Sequence, residues 1–327
     1  YEQEFCFSSR RRHTGLRRDL SSDVCASDLE RKEHAQFWTV RWGDLLRMSE
    51  KQVGKAGLLK YHAWVQDAIR QNKPYNQFVR ELLTATGNTL ENPAANYYRT
   101  EASVEDAVET TAQTFLGVRI QCAKCHNHPY EKWTQNNYYG LSTFFSQVKR
   151  QRIEKTDPKD KKKKTIEIEI KTEGKGDVRH PVSGQLMQPW VPGTGSFSIT
   201  NIADRRLAFV NWLTKSDNTF LDRVDVNRIW AYLMGRGIVE PFDDFRESNP
   251  ASNESLLDAL ARDFAEHKFD RRHILRVILN SRTYQATSHA TQFNKDDSRL
   301  FSHYQPRRLS ADQINRQSVV AGKGRRP

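Results

Sequence analysis

The period of the apolar residues constrains the fold most strongly, because from Glu33 onward it is mostly helical. Apolar side chains recur at spacings of three and four, which places them along one face of each helix. In the first half these residues are Trp38, Trp42, Leu45 and Leu46, then Leu58, Tyr61, Val65 and Ile69, then Phe78, Val79, Leu82 and Leu83. In the second half they are Leu207, Val210 and Leu213, then Phe220, Val224 and Met234, then Leu257, Leu260 and Phe264. The sequence therefore predicts a mainly α protein.

Capping signals place the ends of several helices. The run Ser103-Val-Glu-Asp106 resembles a capping box, and Gly117 is expected to end the helix that it starts. Asp204 and Ser252 are expected to cap two helices of the second half. One more amphipathic helix is predicted from Tyr138 to Val148.

The middle of the chain interrupts the helical pattern. Lys161 to Lys164 lead into Thr165-Ile-Glu-Ile-Glu-Ile170, a strict alternation that predicts a half-exposed strand. We therefore expect two helical lobes joined by a Lys-rich insertion that contains a small β-hairpin. The expected domains are a helical region at 29–149, a Lys-rich linker with short strands at 150–200 and a second helical region at 201–313.

Charge and hydropathy limit the classes of partner. The net charge is +12, and Lys149 to Lys164 alone hold nine Lys or Arg against three Asp or Glu, which is half of the surplus. A lysine run of this kind is typical of a solvated loop, so nucleic acid is not the expected partner. No apolar run approaches the roughly 20 residues of a membrane helix, so no membrane span is expected.

The two ends of the chain depart from the pattern of the rest. Residues 1–28 lack a helical or strand period and resemble sequencing-adapter DNA translated in frame with a gene; a disordered basic arm is the alternative. Cys6 and Cys25 are therefore not counted as ligands. Residues 314–327 are expected to be a disordered or artefactual tail. We expect a fragment of a longer protein that lacks its natural N-terminus.

The motif that points most directly to chemistry is Cys122-Ala-Lys-Cys125-His126. In c-type haem proteins, two cysteines separated by two residues bond to one edge of the porphyrin, and the next residue, a histidine, ligates the iron. Cys122, Cys125 and His126 meet this requirement. The motif predicts haem c as the cofactor, with His126 as the iron ligand.

Three other interpretations of the same residues stay open. Cys122, Cys125, His126 and His128 are all possible zinc ligands, although a closed zinc site usually draws ligand pairs from separated segments. A redox-active dithiol usually lies in a βαβ context, whereas this motif is predicted between helices. In the third interpretation the motif only locks a loop of a helical scaffold.

Two further polar clusters favour structural roles. Asp243 and Asp244 are adjacent, and neighbouring residues rarely point into one site, so a turn or capping role is preferred to an acid/base pair. Asn227 lies on an apolar helix face beside Arg228, which favours a buried polar network that joins helices.

Several runs carry a resemblance to a known family. They are Trp42–Arg47, Pro74–Leu83 and Phe115–Pro129 in the first half, and Asp204–Ala208, Val226–Trp230, Gly235–Val239, Asp243–Phe245, Ile278–Tyr284 and Arg307–Asp312 in the second. The first set resembles the planctomycete cytochrome-like family, domain of unknown function 1549. The second set resembles its usual companion, domain of unknown function 1553.

The resemblance implies a periplasmic or otherwise extracytoplasmic protein. Together with the Cys122 motif, it leads us to expect a c-type haem protein that acts in electron transfer or as the partner of a redox protein. One alternative is a metal-dependent enzyme of the zinc type, or an accessory factor, in polysaccharide degradation. Another is a non-catalytic helical scaffold.

Overall fold

The computed structural model describes residues 29–156, 164–174, 176–196, 199, 203–215, 217–306 and 308. Residues 1–28 and 314–327 lie outside this part of the chain, so the predictions made for them stay predictions. Helices dominate the described residues, which confirms the mainly α prediction. Among these residues, no helix combines the length and the apolar character that crossing a bilayer requires.

The helices of the first half lead up to the Cys122 motif and away from it. They are α1 (Lys32–Leu45), α2 (Glu50–Arg70), α3 (Tyr75–Leu83), α4 (Tyr97–Thr100), α5 (Val104–Thr111) and α6 (Gln135–Ser142). The predicted capping box is confirmed, because Ser103 Oγ accepts from Asp106 N at 3.0 Å and Asp106 Oδ2 accepts from Ser103 N at 3.1 Å. Helix α5 widens into a π-turn at Ala112–Leu116, and Gly117 ends it in the left-handed conformation with φ 66°, as predicted.

The helices of the second half are α7 (Arg205–Leu213), α8 (Thr219–Met234), α9 (Glu254–Glu266) and α10 (Arg271–Leu279). Asp204 caps α7 as predicted, since its Oδ1 accepts from Arg206 N at 3.0 Å. The prediction that Ser252 caps α9 is wrong. Asn253 Oδ1 accepts from Leu256 N at 3.0 Å, while Ser252 Oγ donates to Ile238 O at 3.0 Å. Ser and Asn are both good N-cap residues. The Ser252 hydroxyl binds the distant carbonyl group of Ile238 instead, which leaves the cap to Asn253.

A three-stranded antiparallel sheet combines two strands that follow α6 with one short strand from the segment between α3 and α4. Its strands are β1 (Gly87–Asn88), β2 (Val148–Thr156) and β3 (Lys164–Thr172), in the order β1-β3-β2. The hairpin of β2 and β3 pairs Val148 with Thr172, which confirms the predicted strand and hairpin. The prediction that Val148 ends a helix is wrong, because α6 stops at Ser142. A short sheet of β4 (Trp190–Val191) and β5 (Gly195–Ser196) packs near α6.

The two helical halves share one apolar core instead of packing separately. Trp38 of α1 packs edge-on against Tyr232 of α8 with ring centroids 5.4 Å apart, and Tyr75 of α3 contacts Phe264 of α9 with ring centroids 6.2 Å apart. The buried apolar residues form one cluster that runs from Leu29 to Leu279. The expected lobes are therefore fused through their interiors.

A buried ionic network crosses this shared core. Asp225 of α8 is fully buried; its Oδ1 lies 3.4 Å from Arg228 Nη1 and its Oδ2 lies 2.9 Å from Arg271 Nε. Arg228 Nη2 also donates to Thr114 O at 2.5 Å, and the Arg271 guanidinium lies over the Trp42 ring at 5.2 Å. The network thus joins α8 and α10 to the first half of the chain.

The neighbouring Asn227 extends the polar contacts. Its Nδ2 donates to Val239 O at 2.9 Å, and its Oδ1 accepts from Val239 N at 3.0 Å. This confirms the prediction that Asn227 and Arg228 belong to a buried polar network.

Replacing Asp225 is expected to destabilise the fold strongly. Asp225→Asn leaves two arginines in the core without their counter-charge, so the free energy of unfolding should fall by about 3 kcal/mol or more. Asp258→Asn is the matched control, because Asp258 pairs with Arg223 but its side chain is 44% exposed; it should cost less than about 1 kcal/mol. Urea unfolding measures both, and equal losses would contradict the role given to Asp225.

Glu101 is a second buried carboxylate, and its protonation makes stability depend on pH. Burial raises its pKa to about 7, although a hydrogen bond from Thr110 Oγ1 at 2.7 Å and the nearby Arg47 oppose the rise. The unfolded chain loses this proton near pH 4.5, so stability falls as pH rises from about 4.5 to about 7.

Glu101→Gln removes this dependence. The variant should match the wild type at pH 4 and exceed it at pH 8 by on the order of 2 kcal/mol, measured by denaturant unfolding at both values. The exposed Glu173→Gln serves as control and should leave the difference between the two pH values unchanged. A Glu101→Gln variant that loses stability at pH 8 would refute the assignment.

Candidate functional site

The Cys122 motif lies in the loop between the π-turn after α5 and the start of α6, as predicted. A single 3₁₀ turn at Gln121–Lys124 shapes it, with Ala123 N donating to Ile120 O at 2.9 Å. The amides of Cys125 and His126 both donate to Cys122 O at 3.3 Å. Ala123 is fully buried and anchors the turn, while Cys122 and Cys125 are exposed free thiols. Both sulfur atoms are therefore open to chemistry from solvent.

His126 has a defined ring tautomer. Its Nδ1 lies 2.7 Å from Asn127 O, and a carbonyl oxygen only accepts, so Nδ1 carries the proton. The lone pair of Nε2 is then available to a metal, which is the usual arrangement of a ligating histidine. The ring is exposed beside the two thiols.

His128 has the opposite tautomer. Its Nδ1 accepts from Tyr130 N at 3.3 Å, so the neutral ring carries its proton on Nε2. Its own amide donates to Trp133 O at 2.7 Å, which ties the loop back on itself. Of the two histidines, only His126 therefore presents an unprotonated Nε2.

Helix α6 holds the loop in place. Gln135 Nε2 donates to Cys125 O at 2.8 Å and to Lys124 O at 3.2 Å, while Tyr139 Oη donates to Lys124 O at 3.1 Å. Partial burial, followed by the influence of Cys125 and Glu105, raises the pKa of Tyr139, so its hydroxyl stays a donor. The backbone of the motif is thus fixed while its reactive side chains face outward.

The second half of the chain supports the same loop. Phe245 N donates to Gly117 O at 2.7 Å, and Asp243 Oδ1 lies 2.6 Å from Arg119 Nη2. Asp244 instead pairs with Arg246 at 3.3 Å. The two adjacent carboxylates therefore face different arginines, which supports the structural interpretation of Asp243 and Asp244 over an acid/base pair.

Within the described residues, the side chains of one group of three could together hold a metal ion, and this group contains no residue of the motif. The ligand atoms of Asp263, His267 and His273 are all within 4.8 Å of one another. The thiols and imidazoles of the Cys122 motif, His128 included, do not form such a group. The cluster was not predicted, although Asp263 and His267 lie four residues apart at a helix end and His273 follows a tight turn.

Gly117 controls how the loop meets the second half. A Cβ there would lie 2.6 Å from Phe245 Cδ2 and 2.7 Å from Val224 Cγ2, at a φ that L side chains rarely adopt. Gly117→Ala should therefore lower the free energy of unfolding by about 2 kcal/mol or more. Gly193→Ala, with φ 76° but open space around it, should cost only about 1 kcal/mol. Thermal unfolding measures the stability of both variants. An unchanged stability of Gly117→Ala would contradict the close contact with Phe245 and Val224.

Two family models match the chain, in the order that the sequence runs suggested. PSCyt2, a protein of unknown function (DUF1549), matches residues 11–150, and PSD1, a protein of unknown function (DUF1553), matches residues 205–325. No curated protein and no solved structure matches the chain. The first match contains the Cys122 motif with α1 to α6, and the second contains α7 to α10. The chain belongs to the family in which a DUF1549 region is followed by a DUF1553 region.

Proposed function

We propose that this chain is a c-type haem protein of electron transfer, with Cys122 and Cys125 as the attachment points and His126 as an iron ligand. The observation that carries the proposal is the His126 ring, whose Nδ1–H is bound to Asn127 O and whose Nε2 is free, beside two exposed thiols at the required spacing. The family name PSCyt2, for a cytochrome-like protein, points the same way.

The side chains fit the chemistry of attachment. Cys122 and Cys125 would each hold the porphyrin through one thioether bond, formed by adding S–H across a vinyl group without loss of any atom. The hydrogen bond from Nδ1 orients the His126 ring and raises the basicity of Nε2. Haem iron, when bound, supplies a one-electron redox centre.

The surface position of the motif suits electron exchange with another protein. Cys122, Cys125 and His126 are exposed, so a group that they hold is reachable by a redox partner without opening the core. The hydrogen bonds from Gln135 and Tyr139 keep the loop from moving as the charge of the centre changes. The extracytoplasmic location implied by the family resemblance belongs to the same proposal.

Expression together with haem c maturation machinery tests attachment. The wild type should show a Soret band that stays with the chain after denaturation, because the thioether bonds are covalent. Cys122→Ser/Cys125→Ser should lose it, while the control Cys6→Ser/Cys25→Ser should keep it. A wild type that lacks the band would refute the proposal, and bound zinc that is lost in Cys122→Ser/Cys125→Ser would favour a zinc site at the motif instead.

A second pair of variants tests the ligand. His126→Ala should change the spin state seen in the absorption spectrum, because it removes the nitrogen with a free lone pair. His128→Ala should leave the spectrum unchanged, because the His128 ring is turned to the backbone. The reverse outcome would assign the iron to His128.

A further inference from the structure

The turn between α9 and α10 builds a second cluster of ligating side chains. Lys268 and Phe269 both adopt left-handed backbone conformations, with φ 57° and 58°. The buried Phe269 ring packs edge-on against Phe264 at 5.4 Å, and its amide donates to Phe264 O at 2.9 Å. This tight reversal returns the chain so that His273, at the start of α10, meets Asp263 and the end of α9.

The Asp263 carboxylate contacts two imidazole rings at their edges. Its Oδ2 is 2.7 Å from His273 Nε2. His267 Nδ1 lies 2.8 Å from the Asp263 carbonyl oxygen and 3.2 Å from Asp263 Oδ1, so Nδ1 carries the proton and Nε2 keeps the lone pair. The two rings stack with centroids 3.7 Å apart and planes inclined by 13°. One carboxylate oxygen and two ring nitrogens thus converge on a volume small enough for one ion.

The backbone under this cluster is held from both halves of the chain. Asp270 Oδ1 accepts from His273 N at 3.0 Å, and it also accepts from Asn72 Nδ2 at 2.7 Å. Tyr75 N donates to Phe269 O at 3.1 Å. The ligating side chains remain accessible, since Asp263, His267 and His273 are 34%, 50% and 26% exposed.

We propose that Asp263, His267 and His273 form a binding site for a divalent transition-metal ion of the zinc class. Imidazole together with carboxylate is the ligand set that Zn²⁺, Co²⁺, Ni²⁺ and Cu²⁺ prefer over the all-oxygen sites of Mg²⁺ and Ca²⁺. Metal bonds to such ligands are roughly 2.0–2.2 Å long, so a small widening of the Asp263 to His273 contact admits the ion. A structural Asp–His hydrogen bond involves one imidazole ring, whereas the Asp263 carboxylate contacts two.

Binding requires two local changes. The neutral His273 ring moves its proton from Nε2 to Nδ1, so that the Nε2 lone pair faces the metal. The His267 ring keeps its proton on Nδ1. Because the two rings are nearly parallel, the half-exposed His267 ring tilts so that its Nε2 also faces the metal. Three protein ligands leave a coordination position for water or for a small anionic or carbonyl ligand.

The site is independent of the haem proposal, because it lies in the DUF1553 region and uses none of the residues of the Cys122 motif. The test therefore uses the full chain with Cys122→Ser/Cys125→Ser, which cannot bind metal through its thiols at the motif. Co²⁺ is the probe, since its visible d–d bands report coordination directly. Titration should saturate at one ion per chain, and saturation should raise the unfolding temperature.

Four single variants in that background decide the outcome. His267→Ala and His273→Ala should each weaken Co²⁺ binding by about tenfold or more. His128→Ala and the exposed His289→Ala serve as controls and should retain it. His267 is exposed enough to replace without loss of the fold, which far-UV circular dichroism verifies. Absence of d–d bands in the parent chain, or equal affinity after His267→Ala, would overturn the proposal.

Discussion

The Asp225 carboxylate is fully buried, and the packing of both halves depends on the arginines that neutralise it. The carboxylate lies between Arg228 on its own helix and Arg271 on α10, and Arg228 also binds the carbonyl group of Thr114 in the π-turn after α5. Separating the halves would leave these ions unpaired in an apolar interior, which costs several kcal/mol. The DUF1549 and DUF1553 regions are therefore one folded body, and neither completes its core without the other.

The Cys122 motif takes its position from this arrangement. Thr114 and Gly117 lie eight and five residues before Cys122, and Gly117 packs closely against Val224 and Phe245 of the second half. From there a buried Ala123 and the hydrogen bonds of α6 fix the turn, so that both thiols and the His126 ring face solvent. A backbone held by hydrogen bonds with exposed reactive groups suits the surface redox centre that we propose, whereas a closed zinc site needs converging ligands. The converging ligands lie instead at Asp263, His267 and His273 in the other half of the chain.

Predictions that rest on nearby residues agree well with the structure. The helical faces, the Ser103 capping box, the Asp204 cap, the stop at Gly117 and the β3 strand each follow from residues within a few positions of one another. The errors arise where distant contacts compete with local ones. Ser252 loses the cap of α9 because its hydroxyl binds Ile238 O, and Val148 leaves the predicted helix to pair with Thr172. Asp263 and His273 went unnoticed because the turn that brings them together relies on two left-handed residues that are not glycine.

The sequence by itself determined the mainly α class, the spacing of Cys122, Cys125 and His126, and membership of a two-part family, since all three are properties of neighbouring residues along the chain. The tertiary structure alone decided that the halves share one core, that His126 and not His128 has a free Nε2, and that Asp263, His267 and His273 meet. Each of these depends on where a backbone carbonyl, an amide or a charged group lies in space. These groups determine whether a charge can be buried and how an imidazole ring is oriented, and only the folded chain brings them together.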